Sequence, residues 1–340
     1  MHYFDPHAPY APPEPWRARH GENRYDGEVA YVDSEIGRLL ASIEDAGRDP
    51  VVVVTSDHGE GLGDHDEKTH GVFLYQSTMH VPLIVAGGDP WTGGTVVDGP
   101  VSLVDVVPTL LGMLGLESDD RIHGADLGPV VEAGGRVDRA VYGESFVPRF
   151  SFRFSELRMA RRGALKYIDA PEPELYDLDQ DPGETRNLSG GHPDERDVVA
   201  ALDGFVESED AVAAQRAAGA LDSEASARLR SLGYVAGGSS GGGATSGTRG
   251  RDPKTMTSYI RRHDRALGLL SQGELDAGLD AFEELRAEVP ENWLVPFQMA
   301  GGLISAGRLA EAETLLREVV EAAPEFENGY LMLAEVQALS

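Results

Sequence analysis

Val51–Gly71 reads VVVVTSDHGEGLGDHDEKTHG. Four valines run directly into Asp57, His58 and Gly59, and further acids with His65 and His70 follow within a dozen residues. The run Val51–Thr55 is short, β-branched and bounded by Pro50 and the Asp-His-Gly triplet, which predicts a strand and not a length of buried helix. Its unbroken apolar character predicts a central parallel strand covered on both faces. The C-terminal end of such a strand is where open α/β sheets place ligands. A carboxylate beside an imidazole is a mixed oxygen–nitrogen pair, suited to Zn²⁺ or Mn²⁺ and less readily to Ca²⁺. From the triplet alone, a helix N-cap is an equal reading of Asp57, and two ligands do not complete a site. Gly59 allows a tight turn with no side chain to crowd an ion.

Outward from this stretch the chain reads as α/β. Gly27–Ala46 carries Val29, Val32, Ile36, Leu39, Leu40 and Ile43 at helical spacing. Val81–Val85 is a second strand, and Val104–Leu114 a helix that starts or kinks at Pro108. Val141–Ser145, Glu156–Arg161 and Lys166–Ile168 predict short strands of an antiparallel subdomain, and Glu195–Glu209 returns to helical spacing. His2–Trp16 holds five prolines and predicts a loop.

Ala236–Arg251, AGGSSGGGATSGTRGR, has the composition of a flexible linker spanning roughly 20 Å, which predicts that the flanking modules move relative to one another. Beyond it the sequence repeats at the interval of tetratricopeptide helix pairs: Gly273 and Gly307, Pro290 and Pro324, Leu269 and Leu303, and Ala266, Ala300 and Ala334. Arg262 and Arg265 depart from the apolar pattern. Two full units and half a third are few for a stable solenoid, so the repeats are expected to lean on the catalytic part or on further chain. The expected organisation is a catalytic portion over 1–235, a linker over 236–252 and repeats over 259–340.

The 340 residues suffice for one sizeable α/β domain and a smaller module. With 58 acidic against 29 basic residues the formal charge is -29, which argues against nucleic-acid and anionic-membrane partners. Cysteine is absent, so disulfides, thiolate metal sites and cysteine nucleophiles are excluded within these residues, and either side of a membrane is compatible. No stretch has the length of a transmembrane segment, and the first residues lack the pattern of a signal peptide.

Other polar residues carry competing readings. His7 lies between prolines in a stretch rigid enough to hold an imidazole against an anion, although local sequence favours a structural loop histidine. His65 in GDHDEK reads at least as well as a surface residue. His70 precedes a glycine and an apolar run and reads as an anion contact turned into a cleft. Lys68 reads as a surface ion-pair partner before it reads as an anion contact.

HYFDPHAPYAPPEPW, VVVVTSDHGEGLGDH, KTHGVFLYQSTMHVPLIV and ELYDLDQDPGETRNL resemble, in order, motifs of the sulfatases of the alkaline-phosphatase-like superfamily. LRSLGYV, Leu229–Val235, resembles the tail of bacterial sulfatases that carry tetratricopeptide repeats. The resemblance implies part of an alkaline-phosphatase-like sheet sandwich with a small antiparallel subdomain, followed by an all-α repeat module. It implies that Asp57 and His58 are metal ligands, with Ca²⁺ expected and Mn²⁺ or Zn²⁺ as alternatives. It implies that His7 contacts the sulfate group, and that His70, at an offset spacing, is a second substrate contact. His80 falls where the family often has a basic residue, and Glu174–Leu178 matches a structural strand and turn.

The family's nucleophile is a formylglycine made from cysteine or serine in an N-terminal motif, and no such motif is present here. The resemblance therefore implies the C-terminal portion of a hydrolase, inactive by itself. A small-molecule or glycan sulfate ester is the implied substrate, and a protein partner could engage the repeats. The alternatives are a phosphomonoester or phosphodiester hydrolase of the same superfamily, and a non-catalytic interaction protein acting through the repeats.

Overall fold

The computed structural model describes residues 1–87, 93–117, 122–135, 137–217 and 250–339, without side chains for 209–217. In chain order the elements begin with α1 (Trp16–His20), α2 (Arg24–Asp45), β1 (Val52–Thr55), α3 (Gln76–Met79), β2 (Leu83–Ala86), α4 (Val106–Met113) and α5 (Gly128–Glu132). They continue with β3 (Ala140–Ser145), α6 (Val147–Phe152), β4 (Leu157–Arg162), β5 (Leu165–Asp169), β6 (Glu174–Asp177) and α7 (Glu195–Ala217). The repeat helices are α8 (Thr257–Ser271), α9 (Leu275–Glu288), α10 (Leu294–Ser305), α11 (Leu309–Ala322) and α12 (Glu327–Leu339).

The chain forms two compact units. The first comprises Met1–His58, His80–Asp98 and Leu103–Arg136. In it the Asn23 side chain caps α2 by accepting the Asp26 N–H. The helix ends where Gly47 takes φ +68, and its N–H and that of Arg48 return to the Glu44 and Ile43 carbonyls. Pro108 sits within the first turn of α4, where a missing N–H costs little. Asp105, fully buried, accepts the Ala125 N–H at 2.9 Å and so ties the segment after α4 to its start.

One expectation is corrected here. Among the described residues β1 pairs with β2 alone, antiparallel, with Val52 opposite Ala86 and Val54 opposite Ile84. Val52–Val54 are half-buried. A run of β-branched residues reports that a strand has apolar faces; it carries no information about the direction of the neighbour, which the intervening chain decides.

The second unit comprises Gly59–Met79, Gly99–Ser102 and Val137–Ser340. Strands β3–β4–β5–β6 form an antiparallel meander, as the spacing of the short strands predicts. Period-two alternation sorts its side chains onto two faces. Ala160, Tyr167 and Leu175 pack with Val198 and Leu202 of α7. Leu157, Met159, Ile168 and Tyr176 face the other way, into a cluster with Val72–Tyr75, Phe152 and Phe154.

That second cluster continues into the repeats through Tyr259, Ile260, Ala266, Phe282 and Leu285. The repeats are two antiparallel helix pairs, α8–α9 and α10–α11, followed by α12. Gly273 and Gly307 close the first helix of each pair at φ +82 and +74, a conformation that favours glycine, so their 34-residue spacing records a repeated turn. Ala266, Ala300 and Ala312 are fully buried, as small residues at close helix crossings must be. Arg262 departs from the apolar pattern because it pairs with Glu288 of α9.

The expected independent motion of the repeats is also corrected. His263 of α8 lies edge-on to Phe152 at 5.0 Å, and Tyr259 lies edge-on to Phe154 at 5.4 Å. The Ser155 N–H donates to the Arg251 carbonyl. The first repeat is thus packed into the core of the sheet, in line with the need of so short an array for support. Residues 229–235 and 236–249, where the tail motif and most of the linker fall, lie outside the described residues. No helix among the described residues is long and apolar enough to cross a membrane.

Candidate active site

β1 delivers Ser56, Asp57 and His58 at its C-terminal end. No helix follows, so the N-cap reading of Asp57 is excluded. Asp57 Oδ1 accepts the His58 N–H at 3.1 Å, and the Ser56 hydroxyl donates to the His58 carbonyl at 2.7 Å, which folds the three residues into a tight turn. His58 Nε2 stands 3.8 Å from Asp57 Oδ2. The Asp57 side chain keeps 71% of its surface exposed and that of His58 39%. Burial raises the Asp57 pKa, but the His58 ring, the backbone N–H groups and Ser56 outweigh it, so its carboxyl lies below the ordinary value and stays ionised.

The donor chemistry fits a divalent ion, being one hard anionic oxygen beside one imidazole nitrogen, both reachable. Among the described residues no group of three His, Cys, Asp or Glu is placed to hold a metal. The pair would supply two donors of a coordination sphere that needs at least about four.

His7 belongs to the same unit, on the loop before α1. Its Nδ1 lies 2.7 Å from the Ala8 carbonyl and its ring 4.6 Å from Phe4. Beneath the loop sits Glu28 of α2, which is buried and accepts the Ala11 N–H. Burial raises its pKa; the Ala11 N–H opposes this and the Asp5 charge adds to it, while the His7 N–H and ring pull the other way. Sequence reading missed Glu28, although an acid among the apolar positions of a helix, one residue after a glycine, was a visible sign. That glycine, Gly27, lets the loop approach: a Cβ there would stand 2.9 Å from Pro12 Cγ.

The division between the units falls directly after His58. Gly59 has a role other than sparing an ion: its N–H donates to the Thr78 carbonyl at 2.7 Å, and a Cβ would meet the Ser77 carbonyl at 2.2 Å. His70 therefore lies in the second unit. Its Nδ1 is 3.3 Å from Glu60 Oε1, a buried carboxylate. His65 is structural: at φ +48 its ring stacks on Tyr75 at 3.5 Å, with Nε2 3.0 Å from the Glu184 carbonyl and Nδ1 3.2 Å from Asp64. Lys68 and His80 are exposed.

The loop around His70 is braced by a second acid that sequence reading missed. Glu67 is buried and accepts the N–H groups of Val72 at 2.7 Å and Phe73 at 3.3 Å. Burial pushes its carboxyl up to about 7, against those amides and with the added charge of Glu60.

The late motif is structural, as the resemblance implies. Lys166 and Glu184 form an ion pair at 2.6 Å with essentially no exposed surface, and Glu184 also accepts the Gln76 N–H. Burial lowers the Lys166 pKa and Glu184 opposes that shift. Glu174 accepts from Tyr176 at 2.9 Å and Tyr75 at 3.2 Å, and Lys254 approaches it at 3.8 Å.

Comparison with known proteins places these motifs. Residues 1–116 match the sulfatase family, residues 67–210 the N-sulphoglucosamine sulphohydrolase C-terminal family, and residues 269–336 a tetratricopeptide repeat. The chain is 30% identical over 186 residues to arylsulfatase K of Danio rerio, covering 50% of this chain and 34% of that protein. It is 31% identical over 192 residues to N-acetylglucosamine-6-O-sulfatase of Bacteroides thetaiotaomicron, covering 52% and 33%. It is 30% identical over 187 residues to the multifunctional alkaline phosphatase superfamily protein PehA of Trinickia caryophylli, covering 49% and 36%. A solved structure, BT4656 in complex with its substrate D-glucosamine-2-N,6-O-disulfate, is 28% identical with a TM-score of 0.47 and covers 55% of this chain and 40% of that one. The chain spans about a third of the length of the curated relatives it matches. Two sulfatase-family models thus match this chain in sequence order, followed by a match to a tetratricopeptide repeat, and its curated relatives include sulfatases.

Proposed function

We propose that these residues are the metal-holding and anion-contacting share of a metal-dependent sulfuric ester hydrolase acting on a small-molecule or glycan sulfate ester. The observation that carries this reading is the exposed, ionised Asp57 beside His58 at the end of β1, inside the segment matched to the sulfatase family. Asp57 and His58 would hold a divalent ion, Ca²⁺ or alternatively Mn²⁺ or Zn²⁺. When bound, such an ion polarises an ester oxygen and stabilises developing negative charge. His7 and His70 would donate hydrogen bonds to sulfuryl oxygens, His70 with its tautomer set by Glu60 at its Nδ1. The sulfated sugar named for one relative supports a glycan ester as the substrate class.

The chain has no cysteine and no formylglycine motif, so positioning groups are present without the covalent nucleophile. No turnover is therefore expected from the 340 residues alone. A second reading, hydrolysis of phosphate monoesters or diesters, is favoured by the imidazole of His58, a good ligand for transition metals, and by the relationship to PehA.

The test is a side-by-side assay of this chain alone and of a polypeptide of the relatives' full span that contains it, on an aryl sulfate and an aryl phosphate with Ca²⁺, Mn²⁺ or Zn²⁺ supplied. Sulfate hydrolysis by the longer polypeptide only, lost on Asp57→Ala, is the expected result. Turnover by the 340 residues alone would overturn the missing-nucleophile argument, and activity confined to phosphate would move the assignment to the second reading.

A further inference from the structure

His70 belongs to the segment Gly59–Met79, which packs in the unit that contains the repeats. This loop is closed from within. The Gly61 N–H donates to the Thr69 carbonyl at 2.6 Å, the Gly63 N–H to the Glu67 carbonyl at 2.7 Å, and the Glu67 side chain caps Val72 and Phe73. Residues 66–73 move as one piece if they move at all, because Glu67 fastens one end of that stretch to the other.

The outer side of the loop meets α8, the first helix of the repeats. Phe73 and Ile260 are buried in one apolar cluster, at 4% and 9% exposure. Arg261 Nη1 donates to Asp66 Oδ1 at 2.6 Å. Asp66, Glu67 and Phe73 from the loop and Thr257, Ile260 and Arg261 from the helix line a single cavity of about 30 Å³. The repeats therefore grip the loop at both ends of the stretch that Glu67 closes.

We propose that α8 is a positioning element for His70: Ile260 acts through Phe73, and Arg261 acts through Asp66. The role assigned to His70 rests on the hydrolase reading above; the mechanical coupling does not. Ile260 and Arg261 touch no substrate in this scheme and act only through the loop.

The test uses the 340-residue chain with Ile260→Ala, Arg261→Asp and the swapped pair Arg261→Asp with Asp66→Arg. Two readouts are taken: amide hydrogen exchange over residues 61–75, and the imidazole NMR signals of His70. Ile260→Ala is expected to speed exchange at Gly61, Gly63, Val72 and Phe73 by about tenfold or more while the β3–β6 ladder keeps its protection. Arg261→Asp, which breaks a surface pair, is expected to give about two- to fivefold and to shift the His70 ring signals. The swapped pair should restore both.

Unchanged loop exchange in both single variants would overturn the coupling. Faster loop exchange with unmoved His70 signals, or no recovery in the swapped pair, would overturn the positioning of His70. Should Ile260→Ala unfold the sheet as well, the surface pair alone decides. Neither readout depends on ester hydrolysis, so failure of the hydrolase reading would be seen separately.

Discussion

At the end of β1, Asp57 keeps 71% of its side-chain surface exposed, beside valines that are only half-buried. At β6 and the turn after it, Glu174 keeps 10% and Glu184 1%, beside Leu175 with none. Both stretches lie within the matched family segments and both carry acids at or near a strand. The difference lies in what surrounds each carboxylate. Glu184 is saturated by Lys166 and the Gln76 amide, and Glu174 by two tyrosine hydroxyls and Lys254. Among the described residues Asp57 has only local donors, and its side chain is largely exposed. A buried acid must be neutralised by its neighbours, and then it has nothing left to offer a ligand. An acid that keeps its charge and its access can still take an ion.

The hardest test of this contrast is Lys166→Ala. It leaves the Glu184 carboxylate buried without its cation and should cost about 3–5 kcal/mol of unfolding free energy in urea titrations. A loss below about 1 kcal/mol would mean that the pair is no brace and that the contrast with Asp57 is one of exposure only.

A smaller effect sharpens the picture between these extremes. Glu67 is held above its ordinary value of 4.5, at about 7, by burial. Its contribution to stability is therefore fully present below about pH 4.5 and is lost as pH rises through about 7. Wild type should lose up to about 3 kcal/mol relative to Glu67→Gln between pH 4.5 and pH 8. Parallel unfolding curves for the two chains across that range would show that the acid is not buried as described.

The smallest effect is expected at the strand end itself. Asp57→Ala should change unfolding free energy by less than about 0.5 kcal/mol, because the side chain is exposed and makes only local hydrogen bonds. A loss above about 2 kcal/mol would place Asp57 among the structural acids and break the comparison.

Much of this was legible without coordinates. The 34-residue interval states that a helix–turn–helix recurs: Gly273 and Gly307 return at positive φ and Ala266 and Ala300 return buried, while Ala334, in the last helix, is exposed. Alternation in the short strands foretells the meander, because a period of two decides which residues share a face. The order of the motifs pointed to the family, and the strand-end position of Asp57 and His58 to the candidate site.

Other features depended on contacts that no local pattern encodes. The direction in which β1 is paired, the seating of α8 against Phe73 and Phe152, the stacking of His65 on Tyr75 and the burial of Glu28 and Glu67 all join residues far apart in the chain or turned toward it by a loop. The sequence by itself determined the helices, the strands, the repeat and the residues eligible to hold an ion. Only the tertiary structure decided which acids are braces, and that the repeats are built into the unit carrying His70. The physical reason is that periodicity records how much of a side chain is hidden, while the identity of the group that hides it is settled by long-range packing.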